Sequence, residues 1–251
     1  MFKNFLFTVY EKLYLLRHKQ KRLDSFEYYK NAVFNKKGLE IGGPSRIFKK
    51  KLPIYHFSRS LDGVNFSAHT LWESNLQDSG PFNYFTNRSG TQLIREATVL
   101  EGIKCLSYDF LASSHCLEHI ANPLKALIEW HRVIKNNGFL ILVLPRKMGN
   151  FDRKRKFTSF NHILEDFHNN TQETDLTHLD EIIEYHDFSQ DKNSESISKF
   201  IERGKNNYMI RGLHHHVFSE ELVMKMLDWS GFDVLDLNKD KYNYFVLGSK
   251  K

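Results

Sequence analysis

Apolar and polar positions alternate in blocks along this chain, and the block lengths predict strands and helices in turn. Short apolar runs at residues 38–41, 59–64, 92–97, 108–114 and 139–145 read as strands. The last of them, Phe-Leu-Ile-Leu-Val-Leu, has no polar break, as expected of a strand buried on both faces of a parallel sheet. Between the last two runs lies a clear helix. Asn122 suits its cap and Pro123 its first turn, Leu124, Leu127, Ile128, His131, Val133 and Ile134 form its inner face, and Asn137-Gly138 stop it. Ser219 caps a second helix ending at Gly231, and residues 232–237 and 244–247 read as a closing antiparallel hairpin. Pro44 and Ser45 suit the start of a short helix, while residues 65–92 read as irregular structure with some helix.

Two segments stand outside this alternation. Near the start, Phe2, Phe5, Leu6, Val9, Leu13 and Leu16 fall at helical spacing, followed by a linker to about residue 37. From 146 to 212 a basic patch leads into a His-rich, acidic stretch with helices near 159–169 and after Thr177, where Thr177 and Asp180 resemble a capping pair. The expected organisation is a basic helical extension over 1–37 and one α/β domain over 38–251. That domain is a doubly wound, mostly parallel sheet with a C-terminal antiparallel hairpin and a helical lid inserted at about 146–212.

Charge changes the picture at one end only. The 251 residues carry a formal charge of +6. Residues 1–38 hold nine Lys/Arg against three Asp/Glu, which leaves the remainder balanced at 27 of each sign. The basic amphipathic segment 2–22 can pack on its own domain with a solvated face, or lie on an anionic membrane surface. No apolar run approaches the roughly 18 residues of a spanning helix, and the opening lacks a signal-peptide pattern. Cys105 and Cys116 are too few for a disulfide framework, so a cytoplasmic setting is expected. The positive charge covers no broad face and no Asn-Pro-Pro-Tyr motif is present, which argues against nucleic acid as partner.

The chemistry begins at residues 38–45, Gly-Leu-Glu-Ile-Gly-Gly-Pro-Ser, where an apolar run ends in an acidic residue and two glycines. Such a turn delivers bare backbone to a small-molecule ligand. Asp62 follows Gly42 by twenty residues, at the expected close of the second strand, where a carboxylate can accept from a ribose diol. Its competing reading is an Asp-Gly turn residue.

These pieces, with Arg95-Glu96-Ala97-Thr98 and the block from Tyr108 to Pro145, resemble the class I S-adenosylmethionine-dependent methyltransferases, of the methyltransferase-11 type. The resemblance implies a Rossmann-like fold with S-adenosylmethionine as cofactor. Glu40, Gly42 and Gly43 would shape the methionine end of its pocket, Asp62 would hold the ribose, Glu96 and Thr98 would lie at the adenine, and Ser114 and His115 near the transferred methyl group. The glycine pattern departs from the family, with two in a row and no third. Closer likeness in residues 39–45, 60–66, 113–119, 175–179 and 213–218 is to bacterial enzymes encoded among surface-polysaccharide genes, which implies O-methylation of a sugar hydroxyl in a glycan or its precursor. The alternatives are a methyltransferase acting on another small molecule, or a binding protein that keeps the fold without catalysis.

Methyl transfer to a hydroxyl needs a base, and the residues beyond Pro145 supply candidates in Asp175-Leu176-Thr177-His178, His186-Asp187 and His214-His215-His216. His178, His214 and His215 are the acceptor-side expectation, and His119 a structural or cofactor-proximal residue. The same groups suit metal ligation, but three consecutive histidines on an extended chain cannot all converge on one ion, so no metal site is expected.

Overall fold

A computed structural model describes residues 22–191 and 196–251. The helix expected at 2–22 therefore lies almost wholly outside the described residues. In chain order the elements that frame the site are α1 (Phe26–Val33), β1 (Lys37–Ile41), β2 (Ser60–Asn65), β3 (Pro81–Phe85), β4 (Arg88–Ile94), β5 (Tyr108–Ser114), α2 (Pro123–Val133) and β6 (Ile134–Pro145). Helices α3 (Phe160–His168), α4 (Leu179–Tyr185), α5 (Ile197–Lys205) and α6 (Asn207–Ile210) follow, then α7 (Glu220–Trp229), β7 (Phe232–Lys239) and β8 (Asn243–Lys250). Among the described residues no helix is long and apolar enough to cross a membrane.

The strands form one eight-stranded sheet in the order β3-β4-β2-β1-β5-β6-β8-β7. Pairings β2 with β4, β1 with β2, β1 with β5, and β5 with β6 are parallel; β3–β4, β6–β8 and β7–β8 are antiparallel. The expected fold class is thus present, with a second antiparallel pair at the opposite edge. The chain leaves β1 first towards β2 and returns to β5 on its other side, so the strand order reverses at β1 and opens a crevice beyond the carboxyl ends of these strands.

Strand periodicity divides the core in two. Leu39, Ile41, Leu111, Leu140 and Leu142 face one side, packing with Leu124, Trp130, Phe218 and Met226. Phe110, Ala112, Ile141, Val143 and Phe245 face the other with Phe26, Tyr29, Phe48 and Tyr55. A small third cluster, Leu179, Ile182, Phe200 and Leu213, knits the segment between β6 and α7 together.

Several local expectations need correction. Residues 26–33, read as linker, are helical because Phe26, Tyr29, Ala32 and Val33 bury one stripe against the sheet. Residues 81–91, read as irregular, and 92–94, read as the start of a third strand over 92–97, form the β3–β4 hairpin, with Asn87 in the left-handed region at its turn and the strand ending at Ile94. Helix α2 is capped as expected, Asn122 Oδ1 accepting from Lys125 N at 3.0 Å, but it ends at Val133. Asn137, at φ +58°, kinks the strand that follows instead of stopping the helix. The inner face of α2 uses Ala126 and Trp130, whereas Ile128 is 40% exposed. Ser219 caps α7 by accepting from Leu222 N at 3.1 Å. No side chain caps α4, because the Thr177 hydroxyl turns back to Asp175 at 2.7 Å.

Candidate active site

The glycine turn after β1 is shaped from beneath by Glu40. This carboxylate is fully buried and accepts from Ser45 N at 3.0 Å and from the Tyr55 hydroxyl at 2.6 Å. Burial raises its pKa to about 7, and those hydrogen bonds only partly offset the rise. Gly42 sits at φ +77°, where a side chain is strained, and a Cβ on Gly43 would come within 2.2 Å of Glu40 Cδ. Asn65, the last residue of β2, donates from Nδ2 to the Gly43 carbonyl at 3.0 Å and ties the turn to the neighbouring strand.

Above this turn lies a cavity of about 410 Å³, within the range of small-molecule sites. Gly42, Gly43, Asn65, Phe66, Ala97 and Ser114 contribute to its walls. Ala97 is held by the buried Trp130, whose indole N–H donates to the Ala97 carbonyl at 3.0 Å. One side is closed by Arg211, which reaches Glu96 Oε2 at 2.9 Å and Glu173 Oε2 at 2.8 Å and lies over the Phe66 ring at 4.9 Å. Burial lifts Glu173 to about 7, and Arg211 opposes the lift.

A second cavity of about 610 Å³ adjoins the first. Trp72, His115 and His119 line both, and the Trp72 and His119 rings stand 5.2 Å apart. His115, at φ +52°, donates to Asn243 in β8: its ring Nε2–H reaches Asn243 Oδ1 at 2.7 Å. The segment between β6 and α7 supplies the far wall with Asn150, Phe151, Asp152, His186 and Leu213-His214.

Asp152 and His214 form a buried pair there, with Nδ1 2.5 Å from Oδ2. Burial alone would lower His214, but the Asp152 carboxylate outweighs it and holds the imidazole above the ordinary histidine range. Burial likewise pushes Asp152 up, and His214 with Arg155 brings it below the usual carboxylate range. Arg155 is 2% exposed and also donates to the carbonyls of His214 and His215, at 2.8 and 3.1 Å. Glu118, fully enclosed, has neither carboxylate oxygen hydrogen-bonded, and Oε1 lies 4.0 Å from His214 Nε2. Burial raises its pKa against the pull of His115 and His214.

The structure brings together part of the expected set. Gly42, Gly43, Glu96, Ser114 and His115 line the first cavity, and His214 lines the second. Glu40 lies under the turn as a positioning residue. Asp62 does not close β2, which runs three residues further. It sits mid-strand, accepting from Thr91 N at 2.9 Å and the Tyr108 hydroxyl at 3.0 Å and pairing with Lys37 at 3.0 Å, so the strand end is taken by Asn65. Thr98 lies beyond Ala97 and outside the cavity walls. His215 turns to Asn207 at 3.2 Å, and burial lowers it to about 3. His178 faces His162 at 3.0 Å, away from both cavities. Asn65, Phe66, Trp72, Glu118, Asp152, Arg211 and Asn243 were not anticipated; of these only Asn65-Phe66, directly after an apolar run, carried a local signal.

Residues 53–142 match the family described as "Methyltransferase domain". Among solved structures, the chain is similar to an S-adenosylmethionine-dependent methyltransferase of Aquifex aeolicus (TM-score 0.51, 13% identity, 92% of each chain covered). It is also similar to one of Mesorhizobium loti (0.53, 10%, 90% of this chain and 96% of that one) and to one of Methanosarcina mazei (0.52, 16%, 91% and 99%). No curated protein matches it in sequence. Residues 53–142 thus match a methyltransferase-domain family, within a chain that has the fold of S-adenosylmethionine-dependent methyltransferases.

Proposed function

We propose that the first cavity holds S-adenosylmethionine and that the second holds a sugar hydroxyl of a glycan or glycan precursor, to which the methyl group passes. The observation that carries this reading is the shared wall. His115, His119 and Trp72 border both chambers, so an electrophilic methyl carbon in one and an acceptor oxygen in the other can meet there. The bare peptide groups of Gly42 and Gly43 suit close approach of the amino acid end, and Asn65 takes the place of a ribose-binding carboxylate.

In the second chamber His214 is the base. In its neutral form, with Nδ1–H donating to Asp152, the ring presents an Nε2 lone pair that takes the hydroxyl proton as the methyl group moves from sulfur to oxygen, and Asp152 stabilises the imidazolium that results. Holding the two reactants in line supplies much of the remaining acceleration. Aromatic faces (Trp72, Phe151) beside polar groups (Asn150, His186) suit a carbohydrate, which presents both C–H surfaces and hydroxyls.

Calorimetric titration with S-adenosylhomocysteine, followed by incubation of labelled cofactor with fractionated cell-envelope glycans, tests both halves. Binding of the nucleoside and alkali-stable label on a sugar oxygen are expected. Absence of nucleoside uptake overturns the first assignment, and label recovered on an amine overturns the second.

A further inference from the structure

Away from both chambers, three histidines and an aspartate from distant parts of the chain converge. His162 and Asp166 come from one face of α3, His178 from the turn before α4, and His216 from the extended segment leading to α7; each offers a ligand atom, all within 4.8 Å of one another. His162 Nε2 is 3.0 Å from His178 Nε2, and Asp166 Oδ2 is 3.4 Å from His162 Nε2 and 3.6 Å from His216 Nε2. Four ligands at about 2.0–2.1 Å around a tetrahedral ion are separated from one another by roughly 3.3 Å. The three separations bracket that value.

The second observation is what these groups lack. Asp166 is 8% exposed, yet its Oδ2 has no hydrogen-bond partner. Its other oxygen is satisfied by the Thr171 hydroxyl at 3.0 Å. His216 is 1% exposed; its Nε2 faces the Ala121 carbonyl at 3.2 Å and its Nδ1 has no partner, so ligation through Nε2 would replace the contact with that carbonyl. A buried carboxylate oxygen facing imidazole nitrogens without a hydrogen bond costs stability unless something is shared between them.

The outer contacts fit the same account. Behind His162, Glu165 Oε2 faces Nδ1 at 3.9 Å, and behind His178, Glu181 Oε2 faces Nδ1 at 3.8 Å. At these distances neither carboxylate is hydrogen-bonded to the ring; each is a neighbour that, on closing to about 3 Å, would hold Nδ1–H and leave Nε2 for the metal. Three imidazoles and one carboxylate, without thiolate, suit a borderline divalent ion, zinc above all, and a closed four-ligand set is that of a structural site. The side chain of His162 is 36% exposed and leaves a way in.

We infer that His162, Asp166, His178 and His216 bind one zinc ion, which pins α3 and the turn before α4 to the segment carrying His214. The expectation of no metal rested on three adjacent histidines, and only the last of them enters this cluster. The ion would act as a positioning device, holding the wall of the second chamber without touching the acceptor.

The test is metal content and stability, read without any substrate. Protein produced with zinc supplied and dialysed against metal-free buffer should retain about one zinc per chain by elemental analysis. After stripping with a chelator its melting temperature should fall, and zinc chloride alone should restore it. His178→Ala should retain less than a tenth of the zinc, while His168→Ala, exposed at the end of the α3 helix that carries His162 and Asp166, should keep it. Should His178→Ala fail to fold, cobalt loaded into the stripped wild-type chain decides the matter by the intense visible absorption of tetrahedral coordination. Wild-type protein that takes up neither ion, or cobalt with only weak octahedral absorption, would overturn the inference.

Discussion

The two chambers are built by opposite means. The first is made chiefly by backbone: a turn without side chains, one asparagine bond to a carbonyl, and apolar walls delivered by strand ends, with the pairing of Arg211 to Glu96 and Glu173 as an ionic closure. The second is made by ionisable groups enclosed together, Asp152, Arg155, His214 and Glu118, drawn from segments up to nearly a hundred residues apart. The difference teaches where tolerance lies. A backbone site fails when something is added to it, and a charge site fails when something is removed, because the remaining partner is left enclosed without compensation.

Removing the imidazole should show this most strongly. His214→Ala is expected to slow methyl transfer by about 10²–10⁴-fold, the usual worth of a positioned base, with S-adenosylhomocysteine affinity unchanged in calorimetry. A variant that loses cofactor affinity and keeps its turnover number would reassign His214 to the other chamber. Arg155→Met should cost about 3–5 kcal/mol of stability in denaturant unfolding, since it leaves Asp152 and two carbonyls enclosed with fewer donors. A loss below about 1 kcal/mol would mean that the network is solvated.

The backbone chamber should break by addition. Gly43→Ala forces a methyl group against the Glu40 carboxyl and should cost about 1–3 kcal/mol, with weakened nucleoside binding. Unchanged binding would separate the turn from the cofactor. The smallest effect is a slope. With Glu40 raised to about 7 in the folded protein against 4.5 as its ordinary value, folding favours the protonated acid. Its stabilising contribution is complete below pH 4.5 and is lost as pH rises through 7. Glu40→Gln should therefore flatten the fall in melting temperature across that window, leaving the share due to Glu173, which burial also raises to about 7. An unaltered slope would show that Glu40 is not the group responsible.

The legibility of the sequence follows the same division. Parallel strands announce themselves because burial on both faces demands uninterrupted apolar runs, as in 139–145, and caps such as Asn122 and Ser219 act over three residues. Asp62-Gly63 shows where local reading fails. The pair looks like a turn, but the strand passes through it because Phe82 lies flat where a Gly63 side chain would be and Tyr108 and Lys37 satisfy the carboxylate. Those partners are distant in sequence. The histidine-rich segment hid more, since which of His214, His215 and His216 faces which neighbour depends on Asp152, Asn207 and Asp166, and spacing names none of them.

The partition between the chambers sets a rule of its own. Along one short stretch Thr70 and Glu73 border the first space, Leu71 the second and Trp72 both. Successive side chains there serve different guests, so the count of residues matters more than their identity. Losing a single residue from that stretch would hand each side chain to the wrong guest, and a loop that looks free to drift in composition is held to a fixed length.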